Sequence, residues 1–247
     1  MNIIRTKGII INMDMKISGI QKLTLLDFPG RTACTVFLSG CNMRCPFCHN
    51  SDLVFGKVPY VSCDELFSLL EKRRGVLDGV CITGGEPLLY EKTEELIKEI
   101  KSRGFLVKLD TNGTNPERLE RLLNNNLLDY VAMDIKSSPD GYAKATGVEN
   151  FDMTPVYRSI ELLKNGKIDY EFRTTAVKQL HGEKEFRGIG ELIKGADKFF
   201  IQKFKDSGNI LGHFTGEMLF MDPPSDDEIK LFADIASRYV SFVGVRG

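Results

Sequence analysis

Short strand-forming runs alternate with helical patterns along most of the chain, and this alternation constrains the fold more than any other feature. Apolar residues recur at helical spacing after each strand-forming run. Repeated alternation of this kind predicts an α/β fold built on a parallel sheet with right-handed crossovers. Strands are predicted over 32–40, 78–85, 105–113, 128–136, 169–177 and 198–204, with a short one over 240–245, and helices over 62–75, 93–104, 115–126, 154–166, 183–195 and 225–239.

The chain of 247 residues is long enough for one large α/β domain, and no proline- or serine-rich linker divides it. A single domain is therefore predicted over residues 16–247. Residues 1–15 are predicted to form a disordered N-terminal extension, and Met13 and Met15 offer alternative starts. Periodicity alone leaves open whether the six βα units close partly into a barrel or form an open, doubly wound sheet.

The 33 basic and 34 acidic side chains nearly cancel, so the chain lacks the basic excess of a general nucleic-acid binder. No stretch reaches the roughly 18 apolar residues needed to cross a bilayer, and the first residues carry no signal-peptide cleavage pattern. We therefore expect a cytoplasmic protein without nucleic-acid or membrane partners. In that reducing compartment, clustered cysteines indicate metal binding or catalysis rather than disulfides.

Polar motifs follow the predicted strands at their C-terminal ends. In parallel α/β folds the chemistry is carried at this end of the sheet, so the motifs are expected to form one site. They comprise a cysteine-rich loop at 41–48, TGGEP at 83–87, DTNG at 110–113, MDIK at 133–136, FRTT at 172–175 and QKF at 202–204.

The loop after the first predicted strand contains Cys41, Cys45 and Cys48, followed directly by His49. Zinc bound by the three thiols and His49 is one interpretation, although adjacent residues are an unusual ligand pair. Cys-x-x-Cys-His also matches c-type haem attachment, but that chemistry and a simple redox pair both leave Cys41 without a role. An iron–sulfur cluster is favoured, because three thiolates on a four-iron cluster leave one iron open for an exogenous ligand.

The spacing Cys-x3-Cys-x-Phe-Cys after the first strand resembles the signature of radical S-adenosylmethionine (SAM) enzymes, and TGGEP resembles the second hallmark of that family. The resemblance covers residues 16–204 and implies a partial (β/α)6 TIM-like barrel. It also implies a [4Fe-4S] cluster whose open iron chelates the amino and carboxylate groups of SAM. In that family, an electron from the cluster cleaves SAM to a 5′-deoxyadenosyl radical that abstracts hydrogen.

Within the family, residues 19–50, with the turn DFPG at 27–30, resemble activating enzymes of glycyl-radical enzymes, in particular of anaerobic ribonucleotide reductase. DTNG and MDIK are similar to segments of the pyruvate formate-lyase activating enzyme. The resemblance implies that a glycine α-hydrogen is abstracted from a protein partner, with a flavodoxin- or ferredoxin-type reductant. The polar, glycine-rich loop 205–216 is predicted to face this partner.

The resemblance also implies roles for single residues, with the cluster bound by Cys41, Cys45 and Cys48. The cosubstrate residues implied in the same way lie at strand ends: Phe47 on the adenine; Gly84, Gly85 and Glu86 on the methionine amino group; Asp134, Lys136 and Arg173 on the carboxylate and ribose region; and Gln202 facing the same site. An alternative interpretation of Lys136 and Arg173 is that they form ordinary salt bridges at strand ends.

Asp110, Thr111, Asp134 and the carbonyl of Ala132 match positions at which such activating enzymes bind a monovalent cation, Na+ or K+. Oxygen ligands suit a hard cation. Two carboxylates at the ends of adjacent strands repel each other unless a cation lies between them. The competing interpretation is that Lys136 alone neutralises the pair.

The remaining cysteines and two of the histidines are given no role in this interpretation. Cys34, Cys63 and Cys81 are predicted to be core thiols, and His181 and His213 to be surface residues. Two other functions remain open: a small-molecule radical SAM enzyme similar to carboxy-deazaguanine synthase, and an iron–sulfur redox sensor or carrier. A protein-activating enzyme should leave its barrel open at the side, whereas a small-molecule enzyme should enclose its substrate.

Overall fold

A computed structural model describes residues 15, 17–206, 208, 210–212 and 220–247, in which a single sheet of eight strands organises the chain. All but Met15 of the predicted N-terminal extension 1–15 lies outside the described residues, and so does His213. The strands are β1 Ile17–Thr24, β2 Ala33–Leu38, β3 Gly79–Gly84, β4 Leu106–Thr111, β5 Tyr130–Asp134, β6 Asp169–Ala176, β7 Lys198–Lys203 and β8 Phe242–Arg246.

The strands follow one another in space in the same order as along the chain. Strands β2 to β8 are all parallel, whereas β1 pairs antiparallel with β2 at one edge. Among the described residues no pairing joins β1 to β8, so the curved sheet is an open barrel with two free edges. The predicted α/β barrel is confirmed, and β1 is an additional strand that the alternation did not reveal.

Helices connect the parallel strands and cover the outer face of the sheet. Helix α2 begins where predicted, because the Ser62 side chain accepts a hydrogen bond from the Glu65 amide at 3.2 Å. Its Leu66 and Leu70 are buried, as their helical spacing predicts. The helices are α1 Ser51–Phe55, α2 Cys63–Lys72, α3 Thr93–Ser102, α4 Pro116–Asn124, α5 Tyr142–Thr146, α6 Thr154–Lys164, α7 Glu183–Leu192 and α8 Asp226–Ala236.

The main apolar core lies between the sheet and these helices, and it includes the buried thiols Cys34 and Cys63. Cys81, on β3, is also fully buried, so all three predicted core thiols are confirmed. No helix within the described part of the chain is long and apolar enough to cross a membrane.

The N-terminal end of the barrel is closed by the turn that precedes β2. Phe28, in the DFPG turn, is buried against Tyr130, with ring centroids 6.2 Å apart, and packs with Ala33 and Leu106. A Cβ atom on Gly79 would lie 2.7 Å from Leu106 O and 2.9 Å from the Phe28 ring, so the backbone of β4 and this ring together require glycine at the start of β3. The DFPG turn therefore plugs the barrel beneath the strand ends that carry the polar motifs.

Candidate radical SAM site

The cysteine loop is held in place by backbone hydrogen bonds to two distant segments. Arg44 N donates to Thr146 O at 2.7 Å, which ties the loop to the end of α5. Leu211 N donates to Cys48 O at 3.0 Å, and Gly212 N donates to Pro46 O at 2.7 Å. The described part of loop 205–216 thus braces the cysteine loop, and Ile210 and Leu211 are buried. The prediction that this loop simply faces a partner is therefore wrong for residues 210–212.

Two glycines allow β3 to approach the start of the cysteine loop. A Cβ atom on Gly84 would lie 2.3 Å from Leu38 O, and one on Gly85 would lie 1.9 Å from Gly40 O. The close approach is sealed by hydrogen bonds from Gly85 N to Leu38 O and from Glu86 N to Gly40 O, each 2.8 Å long. The Gly-Gly pair is required because backbone packs directly on backbone at this point.

Burial raises the pKa of each of the three loop thiols, to about 12 for Cys45, while the positive charge of Lys136 lowers all three. A cluster needs thiolates, so a positive charge beside them suits the donor set. No three His, Cys, Asp or Glu side chains in the described part of the chain converge as the ligands of one metal ion. Three thiols on one cavity fit a cluster instead, because each thiolate there binds a different iron.

A cavity at the C-terminal ends of the strands brings most of the predicted site residues together. Glu86 and Ala132 do not line it, and six lining residues were not singled out individually from the sequence: Met43, Asn50, Val54, Thr83, Asn112 and Thr175. The predicted residues that line it are Cys41, Cys45, Phe47, Cys48, His49, Gly84, Gly85, Asp110, Thr111, Asp134, Lys136, Arg173 and Gln202.

The two carboxylates on the cavity wall are neutralised by basic side chains of the chain itself. Arg173 bridges them, with Nε 2.9 Å from Asp134 Oδ1 and Nη1 3.2 Å from Asp110 Oδ2. Lys136 Nζ lies 3.0 Å from Asp134 Oδ2, and buried Lys108 pairs with Asp110 Oδ1. The repulsion that motivated a Na+ or K+ ion between the carboxylates is thus already removed, and Lys136 is not the only neutralising group.

The network carries a net positive charge, because three basic side chains face two carboxylates. Burial alone would raise the pKa of Asp134, yet Arg173 and Lys136 hold it at about 2. Asp110 likewise has a lowered pKa, since Arg173 and Lys108 outweigh its burial. The pKa of Lys136 is raised by Asp134 and the thiols against the effect of burial. Both carboxylates and Lys136 are therefore charged near neutral pH, and the excess of basic over acidic side chains in the network favours an anionic ligand in the cavity.

Glu86 is fully buried and turned away from the cavity. Its Oε1 accepts hydrogen bonds from Leu88 N at 2.9 Å and Thr111 Oγ1 at 2.8 Å, and its Oε2 accepts one from Asn112 N at 2.6 Å. Burial raises the pKa of the carboxyl to about 7 against these bonds. This carboxylate joins the end of β3 to the end of β4, and its contact with the amino group of SAM stays a prediction.

The cysteine loop is tied to the same strand end by an amide pair. Asn112 Nδ2 donates to Asn42 Oδ1 at 2.9 Å, and Asn42 Nδ2 donates to Thr114 Oγ1 at 2.9 Å. Only the position of Asn112 inside DTNG could have indicated this role from the sequence. Ala132 is buried in β5, opposite Asp110 of β4.

One histidine, His49, lines the cavity, and a second, His181, lies next to it. His49 stacks on Phe204 of the segment after β7, with ring centroids 5.4 Å apart. His181 is buried, so its prediction as a surface residue is wrong. No ligand spacing in the sequence points to His181, because its contacts form only when the loop after β6 folds back.

A family model described as the radical SAM superfamily matches residues 35–185. A "putative glycyl-radical enzyme activating enzyme" of Methanocaldococcus jannaschii is 32% identical over 95% of this chain and 97% of its own length. A pyruvate formate-lyase-activating enzyme of Clostridium pasteurianum is 32% identical over 72% of this chain and 76% of its own length. The crystal structure of a domain of such an enzyme from Bacteroides vulgatus superposes with a TM-score of 0.52 at 18% identity, covering 68% of this chain and 99% of that domain.

These similarities agree with the open α/β barrel and the three-cysteine loop. The chain therefore belongs to the radical SAM superfamily and, within it, to the family of glycyl-radical enzyme activating enzymes. Enzymes of this family use a [4Fe-4S] cluster and SAM, and they act on glycyl-radical enzyme partners.

Proposed function

We propose that this chain activates an anaerobic ribonucleotide reductase by removing one α-hydrogen from a glycine of that protein. The observation that carries the proposal is the similarity to a glycyl-radical enzyme activating enzyme over 95% of the chain. The sequence around DFPG, with its resemblance to reductase-activating proteins, supports this partner over other glycyl-radical enzymes. A flavodoxin- or ferredoxin-type protein would supply the electron.

Cys41, Cys45 and Cys48 would hold the cluster in this proposal, since their thiols line one cavity with Lys136. When bound, the cluster supplies the electron that cleaves SAM, and the cleaved SAM supplies the hydrogen-abstracting radical. Lys136 and Arg173 would hold the carboxylate of SAM, supported by the excess positive charge of their network. Gly84 and Gly85 would present their backbone to the amino group.

The outer part of the cavity would hold the adenosine moiety. Phe47 is buried and lines the cavity, as a ring that packs on adenine would. Gln202 reaches the same cavity from β7. Asp110, Thr111 and Asp134 would bind a monovalent cation only if SAM rearranges the ion pairs that now satisfy both carboxylates. The chain's own part in the reaction is therefore to orient SAM, because a radical attacks the nearest C–H bond.

The open edges of the barrel support a protein substrate over a small molecule. With β1 and β8 unpaired to each other in the described structure, a flexible glycine loop has a way in that does not require the sheet to part. A small-molecule enzyme similar to carboxy-deazaguanine synthase would instead need material that closes this side.

The test mixes the anaerobically reduced, reconstituted protein with SAM and a candidate partner, and records the electron paramagnetic resonance spectrum. We expect the doublet of a glycyl radical with an anaerobic ribonucleotide reductase, and none when the glycine of that partner is replaced by alanine. Pyruvate formate-lyase should be run in parallel, because one relative is named as its activating enzyme. A doublet with pyruvate formate-lyase alone would overturn the choice of partner, and a doublet with neither would overturn the glycine target for both.

A further inference from the structure

His181 is buried next to the cavity without lining it. The ring is 4% exposed, and its Nδ1 accepts a hydrogen bond from Val177 N at 3.0 Å. An Nδ1 that accepts must be unprotonated, so the remaining ring proton is on Nε2. That nitrogen lies 2.9 Å from Lys136 O and therefore donates to it. The two contacts fix both the tautomer and the orientation of the imidazole.

The two backbone groups that His181 binds lie just beyond the ends of adjacent strands. β5 ends at Asp134 and β6 ends at Ala176, and the hydrogen bond from Ile135 N to Arg173 O, 2.7 Å long, continues their pairing. Lys136 O and Val177 N lie past this point. The imidazole thus connects β5 and β6 beyond the point at which backbone hydrogen bonds pair the two strands.

The ring also touches the cysteine loop. It packs edge-on against Phe47, with centroids 6.4 Å apart and planes at 72°, and its other side meets Phe186 of α7 at 6.1 Å. One side chain therefore contacts the backbone of Lys136, which carries the cavity's ammonium group, and the ring of Phe47, which lines the cavity wall.

We propose that His181 is a positioning residue for SAM, which acts by fixing the main chain of Lys136 and the ring of Phe47. It does not touch the cavity itself. The inference rests on the proposed role of Lys136 in binding SAM and is independent of which protein partner is activated. The hydrogen bond to Lys136 O fixes the main chain from which the Lys136 side chain extends. Its Nζ pairs with Asp134 and, in this proposal, also binds the carboxylate of SAM.

Two substitutions separate the two hydrogen bonds. In His181→Gln the amide nitrogen can take the place of Nε2 and donate to Lys136 O. In His181→Asn the amide oxygen can take the place of Nδ1 and accept from Val177 N, but nothing reaches Lys136 O. Each variant keeps one bond of the two, so a purely structural role would destabilise both to a similar extent.

The measurement is SAM cleavage to 5′-deoxyadenosine by the reconstituted, reduced enzyme without partner, together with iron content and melting temperature. We expect His181→Asn to raise the KM for SAM about three- to tenfold with kcat and iron content unchanged, the usual effect of losing one hydrogen bond. His181→Gln should restore a KM close to that of the unaltered enzyme. Tyr170→Phe is the control, because it removes an equally buried hydroxyl that only accepts from Asp197 N.

Equal KM values for the Asn and Gln variants would overturn the inference, whatever their stability, and so would an unchanged KM in His181→Asn. Lys136→Ala is measured alongside. If that change raises the KM and His181→Asn does not, the positioning role fails while the binding role of Lys136 stands. If Lys136→Ala leaves the KM unchanged, both fail, and the glycyl-radical assay still tests the partner separately.

Discussion

Lys136 links the charged side chains of the cavity wall to the cysteine loop. Its ammonium pairs with Asp134, lowers the pKa of all three loop thiols and stands on a backbone fixed by His181. Arg173, on the next strand, forms ion pairs with both carboxylates of the cavity wall. At this scale the site is a set of paired charges with one positive charge in excess.

Lys136→Ala should weaken SAM binding by about ten- to a hundredfold, because a charge-assisted hydrogen bond to a carboxylate is lost. Equilibrium binding to the reconstituted protein measures the affinity, and the iron content and cluster spectrum are expected to stay unchanged. Lys98→Ala is the control, since Lys98 makes only an exposed ion pair with Glu94. Unaltered affinity in Lys136→Ala would show that this ammonium is a strand-end ion-pair partner and nothing more.

Glu86→Gln should act on stability rather than on the cosubstrate directly. One face of the carboxylate accepts from Asn112 N and the other from Leu88 N and Thr111 Oγ1, so the amide NH2 of glutamine must face a donor. We expect a loss of about 1–3 kcal/mol in the free energy of unfolding of the apoprotein. Chemical denaturation measures it, with the exposed Glu149→Gln as control. Full stability together with weaker SAM binding would instead support a direct contact between Glu86 and the amino group.

The strands and their connecting loops position these residues. The sequence predicted the position of the site best at the C-terminal ends of the strands. Polar motifs after buried strands predicted one site at one edge of the sheet, because parallel strands end together. What the sequence could not show is which side chains turn back: Glu86 joins two strand ends, and His181 returns from a loop to bond to Lys136 O. Both depend on contacts between segments that are distant in sequence, to which local periodicity is blind.

Strand β1 was not predicted, because its residues also lack a clear local pattern. Its residues are mostly half-buried or exposed, and its partner is the neighbouring β2 in antiparallel register. The alternation that identified the other strands depends on a helix following each one, and a turn follows β1 instead. An edge strand with one partner leaves only a weak apolar pattern.

Gly85→Ala tests the contact between β3 and the cysteine loop. The new methyl group would lie 1.9 Å from Gly40 O, so the backbone must separate at the entrance of the loop. We expect reconstituted protein to bind substantially less iron and to melt at a lower temperature, measured by iron analysis and thermal denaturation. Gly19→Ala is the matched control, because its methyl group meets only Phe37 at 3.9 Å. Normal iron content in Gly85→Ala would mean that the loop tolerates displacement from the strand.

For the whole molecule, the buried charge network makes stability sensitive to acid. The pKa of Asp134 is about 2 in the folded protein against 3.8 for an unperturbed carboxyl. Its ion pairs therefore stabilise the fold fully above pH 3.8, and this contribution is lost as the pH falls through 2. The shift corresponds to about 2 kcal/mol at neutral pH. Burial lowers the pKa of His181, so this residue adds a loss of stability as the pH falls below 6.5. Burial raises the pKa of Glu86 to about 7, so its contribution to stability is lost as the pH rises from 4.5 to 7.

Asp134→Asn should accordingly flatten the fall in unfolding free energy between pH 4 and pH 2. Chemical denaturation of the apoprotein at a series of pH values measures the slope. Asp140→Asn serves as control, because Asp140 is exposed and makes only a surface ion pair with Lys184. Identical slopes for the Asp134 variant and the unaltered protein would mean that the network does not persist in solution.

The plug formed by Phe28 and Tyr130 has a kinetic consequence. Because the base is closed, SAM must arrive and the spent nucleoside must leave at the C-terminal ends of the strands, and a partner whose glycine loop enters at the open side between β1 and β8 would cover that exit. A bound partner that covers the exit imposes an order, with SAM binding first, the partner second and release of the nucleoside only after the partner withdraws. We expect a large excess of partner, added before SAM, to slow the first turnover, and the lag to vanish when SAM is added first. The closed base thus predicts an ordered kinetic mechanism rather than a random one.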